Sequence, residues 1–284
     1  MQTTKPAWLK IRPPSGEKFR DIKKILEDLK LNTVCTGARC PNVGECWTHG
    51  TATFMILGSV CTRNCRFCAV KKGKEGEPLD YSEPGRVAQA VEKLGLEYVV
   101  LTSVDRDDLS DGGAGHFADC IKEIKSLGEN IIVEALIPDF GGDEEALRKI
   151  TGAHPDVVGH NIETVEELQV HARDSRAGYA LSLEVLRKVK QMPFSVYTKS
   201  SLMLGLGETE DMILKTMDDL RATGVSMLTL GQYLRPSTKQ LEVKEYISPE
   251  KFAYYKKRAN ELGFISVMSG PFVRSSYMAE TFLD

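Results

Sequence analysis

No stretch of this 284-residue sequence is long and apolar enough to cross a bilayer. Its longest apolar runs, such as Tyr98 to Leu101 and Ile131 to Val133, fall far short of the roughly 20 residues a spanning helix needs. Met1 to Lys10 lacks the continuous apolar segment and small-residue site of a secretion signal, so a cytoplasmic location is expected. Dense blocks of Lys and Arg are also missing, and the net charge is -3, so no nucleic-acid partner is expected. Arg20, Lys23, Lys24 and Lys30 read as the solvated side of a helix. Internal repeats and low-complexity tracts are absent. With 42% hydrophobic and 27% charged residues, the composition argues against both a disordered and a membrane class.

What is present is an alternation of two periods. Phe54 to Leu57, Tyr98 to Leu101, Ile131 to Leu136, Val157 to Val158, Ser201 to Leu204 and Met227 to Leu230 read as strands of a parallel sheet buried on both faces. Arg86 to Leu94, Phe117 to Leu127, Val165 to Ala172, Leu183 to Val189 and Thr209 to Ala222 have helical spacing, with Phe117, Ile121, Ile124 and Leu127 sharing a face. Six βα units are fewer than the eight that close a barrel, so the expected fold is α/β, a partial (βα)6 barrel with its strand ends on one rim. A final helix near Pro249 to Leu262 and an extended tail follow. The expected organisation is a Cys-, Pro- and Gly-rich irregular appendage over residues 1–50, the barrel over 51–270 and a tail over 271–284.

The seven cysteines carry the chemistry. Cys35, Cys40 and Cys46 are spaced C-x4-C-x5-C, Cys61, Cys65 and Cys68 are spaced C-x3-C-x2-C, and Cys120 stands alone. An odd count without a secretion signal points to thiolate chemistry in a reducing compartment rather than to disulfides. The second triad follows the first strand, on the rim where barrels place their active sites. Three thiolates can hold three irons of a four-iron cluster and leave one iron open, a vacancy that can bind the amino and carboxylate groups of S-adenosylmethionine. A structural zinc would need a fourth ligand, and none convincing follows Cys68. The first triad admits two readings, a cluster or a Cys3His zinc site with His49. Cys120, among Phe117, Ile121 and Ile124, reads as a buried, inert thiol.

Cys61-Thr-Arg-Asn-Cys65-Arg-Phe-Cys68, with Phe67 before the last cysteine, resembles the signature of the radical S-adenosylmethionine superfamily. More narrowly, Gly37-Ala-Arg-Cys-Pro-Asn-Val-Gly-Glu-Cys46-Trp47, Thr102-Ser-Val-Asp-Arg-Asp-Asp-Leu109, His160-Asn-Ile-Glu-Thr164, Gly231-Gln-Tyr-Leu-Arg-Pro236 and Arg274-Ser-Ser-Tyr277 resemble the lipoyl synthase family over nearly the whole chain. The resemblance implies two [4Fe-4S] clusters and S-adenosylmethionine as cofactors, with Ser276 as the oxygen ligand of the cluster at Cys35, Cys40 and Cys46. By residue type alone, Ser275 and Ser276 would be ordinary tail residues. The implied reaction inserts two sulfur atoms at carbons 6 and 8 of an octanoyl group on a carrier-protein lysine. The implied partners are octanoylated glycine cleavage H protein and 2-oxo acid dehydrogenase acyltransferase subunits, a ferredoxin or flavodoxin reductant and an iron-sulfur carrier protein.

Other polar segments fall at strand ends. Thr102 and the carboxylates after it can meet the methionyl amino group, or simply cap the next helix. Asn161 and Glu163 can hydrogen-bond ribose hydroxyls. His160 is open to a site role or a structural one. Gly205-x-Gly207-Glu208 lacks a full phosphate-binding pattern, so no phosphate site is assigned, although the resemblance puts a comparable stretch near adenine. Lys199 and Arg235 are either substrate-side cations or loop charges. Two segments depart from the family pattern: Ser201 stands where the family often has Gly, which is expected to alter the local turn, and Gln240-Leu-Glu-Val243 is expected to touch no cluster ligand. The rival readings are a biotin-synthase-like enzyme, a nucleic-acid methylthiolating enzyme and an electron-transfer protein.

Overall fold

A computed structural model of the chain describes residues 5–10, 16–48, 52–194 and 196–279. The first strand, β1 (Thr53–Ile56), leads into a small parallel ribbon of β2 (Val60–Cys61) and β3 (Lys71–Lys72). Then come β4 (Tyr98–Ser103), β5 (Ile132–Leu136), β6 (Val157–Gly159), β7 (Tyr197–Leu204), β8 (Met227–Gln232) and β9 (Ser266–Gly270). Apart from the ribbon, these form one seven-stranded, wholly parallel sheet in chain order. The expected partial barrel is therefore present, and all six expected strands lie in it. The seventh, β9, reads in sequence as extended tail because Ser266, Ser269 and Gly270 dilute its apolar signal, and only Val267 in it is buried.

The helices are α1 (Glu17–Asp28), α2 (Val34–Gly37), α3 (Val43–Thr48), α4 (Glu83–Leu94), α5 (Ala114–Lys125), α6 (Glu144–Thr151), α7 (Gln169–Ala172), α8 (Tyr179–Gln191), α9 (Glu210–Ala222) and α10 (Pro249–Glu261). Sequence periodicity passes over α6, which has only eight residues, although the Asp143 side chain caps it by accepting from the Glu145 N–H. Their apolar faces close on the sheet. One core cluster joins α1 to α6 with β1, β4 and β5, and a second gathers Leu202, Leu228, Ile213, Met217, Phe252 and Tyr255 around β7, β8, α9 and α10.

The N-terminal segment is neither irregular nor detached. Ile22, Leu26, Leu29 and Trp47 are buried in the first core cluster, while Lys23 and Lys24 face solvent as expected. Thr33 bridges Phe54 antiparallel, and Met55 N–H donates to the Asn32 carbonyl at 2.9 Å, so this segment covers the free edge of β1. The tail after β9 approaches from the other edge. Asn42 Nδ2 donates to the Phe272 carbonyl at 2.6 Å, Thr53 Oγ1 hydrogen-bonds Ser276 Oγ at 2.9 Å, and Tyr277 Oη hydrogen-bonds Glu45 Oε1 at 3.2 Å. Ala279 packs with Val100, Val157 and Met227. Segment and tail together fill the seam between β1 and β9.

Lys199, on β7, is neither a substrate-side cation nor a solvated loop charge. It is 2% exposed, and its Nζ lies 2.8 and 2.9 Å from the carboxylate oxygens of Glu134 on β5, which is fully buried. Tyr98 Oη adds a hydrogen bond to Glu134 at 2.7 Å. Removing one partner strands a charge in the interior, so Lys199→Met is expected to cost about 3–5 kcal/mol by urea denaturation. Lys199→Met with Glu134→Leu should cost much less.

Candidate active site

β1 ends in a turn, Leu57-Gly58-Ser59, that delivers the chain to Cys61. Leu57 has a positive φ of 68° and Gly58 one of 93°. Three carboxylates and an arginine hold this turn. Glu83 Oε2 accepts the Leu57 N–H at 2.9 Å and pairs with His116 Nε2 at 2.7 Å, while Arg106, itself paired with Asp108, donates to the Leu57 carbonyl at 3.2 Å. Glu77 accepts the Ser59 N–H at 2.6 Å and lies where a side chain on Gly58 would sit.

The loop beyond is tied down on several sides. Arg63 is buried and donates to Asp139 at 2.5 and 2.7 Å and to Asp107 at 2.9 Å, with Asp105 3.3 Å away. Burial opposes its charge, but hydrogen bonds to Asp139 and Asp107 more than offset this and raise its pKa. Asn64 N–H donates to Asp174 at 2.7 Å, Arg66 N–H to the Ala172 carbonyl at 2.8 Å, and Leu241 N–H to the Arg66 carbonyl at 3.1 Å. Gln240 Nε2 donates to the Cys68 carbonyl at 3.3 Å, which corrects the expectation that the Gln240 segment touches no ligand cysteine.

Within this frame the Cys61 thiol is pushed up to about 12 by burial and then by Asp105, and the Cys65 thiol to about 11, chiefly by burial. Burial raises Cys68 as well. The backbone N–H groups of Arg63 and Asp174 donate to Cys61 Sγ and Cys65 Sγ, each at 3.4 Å. Thiols so placed stay protonated unless a cation draws off the proton, and the inward N–H groups suit the thiolates that result.

Cys35 lies in α2, which Thr33 caps, Cys40 in the loop that follows, and Cys46 in α3. Cys40 N–H donates to the Cys35 carbonyl at 3.0 Å, and the charge of Cys40 acts on the Cys35 thiol. Burial raises both thiols. At Cys35 it is opposed by a backbone group of Thr53 and by the Trp47 indole; at Cys40 it is opposed by a backbone group of Asn42 and by Arg274. Three thiols lining one cavity, with the Trp47 indole acting on Cys35 and Arg274 on Cys40, fit a sulfur-rich anionic group. His49, the fourth ligand of the zinc alternative, lies outside the described residues.

One cavity of about 350 Å³ is lined by all six triad cysteines together with Ser276, Thr102, Asn161 and Glu163. Thr102 is buried at the end of β4. Glu163 has a positive φ of 68° and a half-buried carboxylate, raised chiefly by burial, that accepts from Asn161 Nδ2 at 3.1 Å. Ser201 lies inside β7, where its carbonyl accepts the Glu163 N–H at 3.0 Å, so its departure from the family pattern alters no turn. Gly205 to Glu208 does not line the cavity; the Glu208 carboxylate accepts the backbone N–H groups of Gly205 and Leu206 and braces the turn. Arg235 braces its own loop through the Gln240 and Thr238 carbonyls, at 2.9 and 2.6 Å. Cys120 is fully buried, and burial raises its thiol. The Arg63–Asp139 pair escaped sequence reading; the position of Asp139 just past β5, on the strand-end rim, was the signal available.

His160 lines the cavity, but both of its ring nitrogens are engaged by the fold: its Nδ1 lies 2.9 Å from the Ile137 carbonyl and its Nε2 3.0 Å from Ser182 Oγ. Burial, then Arg173, lowers its pKa to about 4. The unfolded chain protonates near the ordinary value of about 6.5, so the stability gained from the neutral ring is present above that pH and lost as the pH falls toward 4. His160→Gln should flatten this part of the profile, read from urea midpoints at steps between those limits.

Comparison with known proteins accounts for this arrangement. Residues 55–220 match the radical SAM superfamily, and residues 2–40 match the N-terminal domain of lipoyl synthase of that family. The chain is 55% identical to a lipoyl synthase of Halobacterium salinarum, covering 99% of this chain and 91% of that protein. It is 54% identical to a lipoyl synthase of Thermus thermophilus, covering 97% and 85%, and 53% identical to a mitochondrial lipoyl synthase of Drosophila mojavensis, covering 98% and 78%. Among solved structures, methylornithine synthase (PylB) shares the fold with a TM-score of 0.58 at 13% identity, covering 87% of this chain and 74% of that one. The hydrogenase maturase HydG of Carboxydothermus hydrogenoformans does so with 0.57 at 13% identity, covering 94% and 70%. Near-full-length identity above one half, on a partial barrel that gathers both triads, shows that the chain belongs to the lipoyl synthase family, enzymes of the radical SAM superfamily.

Proposed function

We propose that the two triads divide the reaction between them, inserting sulfur at carbons 6 and 8 of an octanoyl group carried on a protein lysine. Cys61, Cys65 and Cys68 would hold the [4Fe-4S] cluster that binds S-adenosylmethionine, and Cys35, Cys40 and Cys46 with Ser276 would hold a second [4Fe-4S] cluster, spent as the sulfur source. The observation that carries this reading is the single cavity reached by all six thiols and the Ser276 hydroxyl. S-adenosylmethionine on the first cluster supplies, on reduction, an oxidant able to remove hydrogen from an unactivated methylene, chemistry no side chain offers.

The chain's own residues position the reactants. Asn161 and Glu163, already hydrogen-bonded to each other, are set to receive ribose hydroxyls, and Thr102 to meet the methionyl amino group. Ser276 presents a hard oxygen beside soft thiols, and Thr53 Oγ1 offers it a hydrogen bond that needs no iron. Ser276 would thus have a partner within the protein whether or not the cluster were bound. Residues 1–50 would thus serve as the auxiliary-cluster segment, 51–270 as the radical barrel and 271–284 as the tail that completes the second site. The reading takes glycine cleavage H protein and 2-oxo acid dehydrogenase acyltransferase subunits as carriers, a ferredoxin or flavodoxin as reductant, and an iron-sulfur carrier protein to rebuild the spent cluster, all in the cytoplasm.

Anaerobically reconstituted protein should hold about eight irons. Cys61→Ala, Cys65→Ala or Cys68→Ala should abolish 5'-deoxyadenosine formation, whereas Cys35→Ala, Cys40→Ala or Cys46→Ala should retain it and yield no lipoyl product. Retained cleavage in all three variants of the C-x3-C-x2-C triad would show that the wrong triad has been chosen.

The sulfur source is tested by reconstituting with isotopically labelled sulfide, removing free sulfide and running one turnover on an octanoylated carrier. Label should enter the product, and Ser276→Ala should impair insertion more than initial cleavage. Unlabelled product beside an intact labelled cluster would overturn the sacrificial role.

A further inference from the structure

We propose that the mouth of the cavity is a docking face for an acidic carrier domain, held by charge while its acylated lysine enters; this rests on the octanoyl-lysine chemistry proposed above. Four segments that contribute to the cavity wall, 33–44, 62–74, 233–241 and 271–278, contain no Asp or Glu. Yet acidic residues outnumber basic ones over the whole chain, 40 to 37.

The cations of these segments sort by depth. Arg63 is buried and Arg274 half-buried, and each acts within the cavity, Arg63 on the carboxylates around Cys61 and Arg274 on Cys40. Arg39, Arg66, Lys71, Lys72, Lys74, Arg235 and Lys239 are exposed; Arg39 and Lys72 line the cavity, and the others flank its lining in the chain. The cavity's carboxylates lie behind them, where Arg63 pairs with Asp105 and Asp139 and the charge of Arg173 acts on Glu163. Of the acids just outside the segments, Glu45 hydrogen-bonds Tyr277 at 3.2 Å and Glu242 lies 3.9 Å from Arg235, while Glu75 is exposed next to Lys74, one acid against the exposed cations around it. The mouth is therefore cationic on a protein that is net anionic.

Balancing the charge of bound clusters would account for Arg63 and Arg274, but not for cations in water, which are screened within about 10 Å at ordinary salt. An octanoyl chain has no charge to attract them. The body of the protein that carries it does, and charge at a rim acts chiefly on the rate and orientation of encounter.

The test uses enzyme with both clusters reconstituted and two substrates, an octanoylated acidic carrier domain and a short uncharged octanoyl-lysine peptide. K71E/K74E/K239E should lower kcat/KM for the domain about tenfold or more, as expected for lost steering, and lower that for the peptide far less. Raising salt from about 50 to about 300 mM should slow the wild-type enzyme on the domain much more than on the peptide. The charge-matched control K93E/K122E/K256E, on the outer helices α4, α5 and α10, should leave both substrates unaffected. Equal kcat/KM of wild type and K71E/K74E/K239E on the domain, an equal loss in the control, or no difference in salt response between substrates would overturn the proposal. Failure of the wild type to make product from either substrate would instead overturn the octanoyl-lysine reading on which it rests.

Discussion

Seven parallel strands do not close a barrel, and the seam this leaves governs the rest of the molecule. An uncovered edge of β1 would expose unpaired backbone groups beside an apolar interior, a combination folded proteins do not tolerate. Here the N-terminal helices cover that edge through Thr33 and Asn32, and the tail beyond β9 reaches back to Asn42, Thr53 and Glu45. These same fillers carry Cys35, Cys40, Cys46 and Ser276. Closing the barrel and assembling the second half of the site are one structural event.

The other half depends on charge inside the rim. Arg63 belongs to the C-x3-C-x2-C loop, yet its partners lie after β4 and β5, so the loop is pinned to two strand ends at once. Backbone bonds to Ala172 and Leu241 add anchors from beyond β6 and β8. A loop held on so many sides keeps three sulfurs in register without depending on a metal to organise it, as preorganisation requires.

The barrel was legible because parallel strands buried on both faces write continuous apolar runs, and four of the six expected runs contain Val or Ile. β9 was not, since Ser and Gly replace the branched residues where the strand meets the seam, and neither was α6, too short to show a period. The appendage looked irregular because Pro and Gly punctuate it, while the order of α1 comes from packing Ile22 and Leu26 on a core far away in sequence. At the site, thiols announce themselves by type and spacing. Ser276 does not: nothing local marks one tail serine above another, and its place opposite Thr53 follows only from the tail crossing the seam. Lys199 misled for the same reason, because a lone cation in a strand gives no sign that Glu134 faces it across the interior.

The seam also imposes an order on biogenesis. Asn42 meets Phe272 across 230 positions of chain, and Thr53 meets Ser276 across 223. Synthesis runs from the N-terminus, so Cys35, Cys40 and Cys46 leave the ribosome early, while the last pieces of their surroundings are still unmade. The loop of Cys61, Cys65 and Cys68 gains most of its anchors as β4 through β8 emerge, whereas the seam stays open until the segment beyond β9 has been made. A nascent chain therefore passes through a stage in which one set of thiols is housed and the other is exposed to whatever metal or oxidant surrounds it.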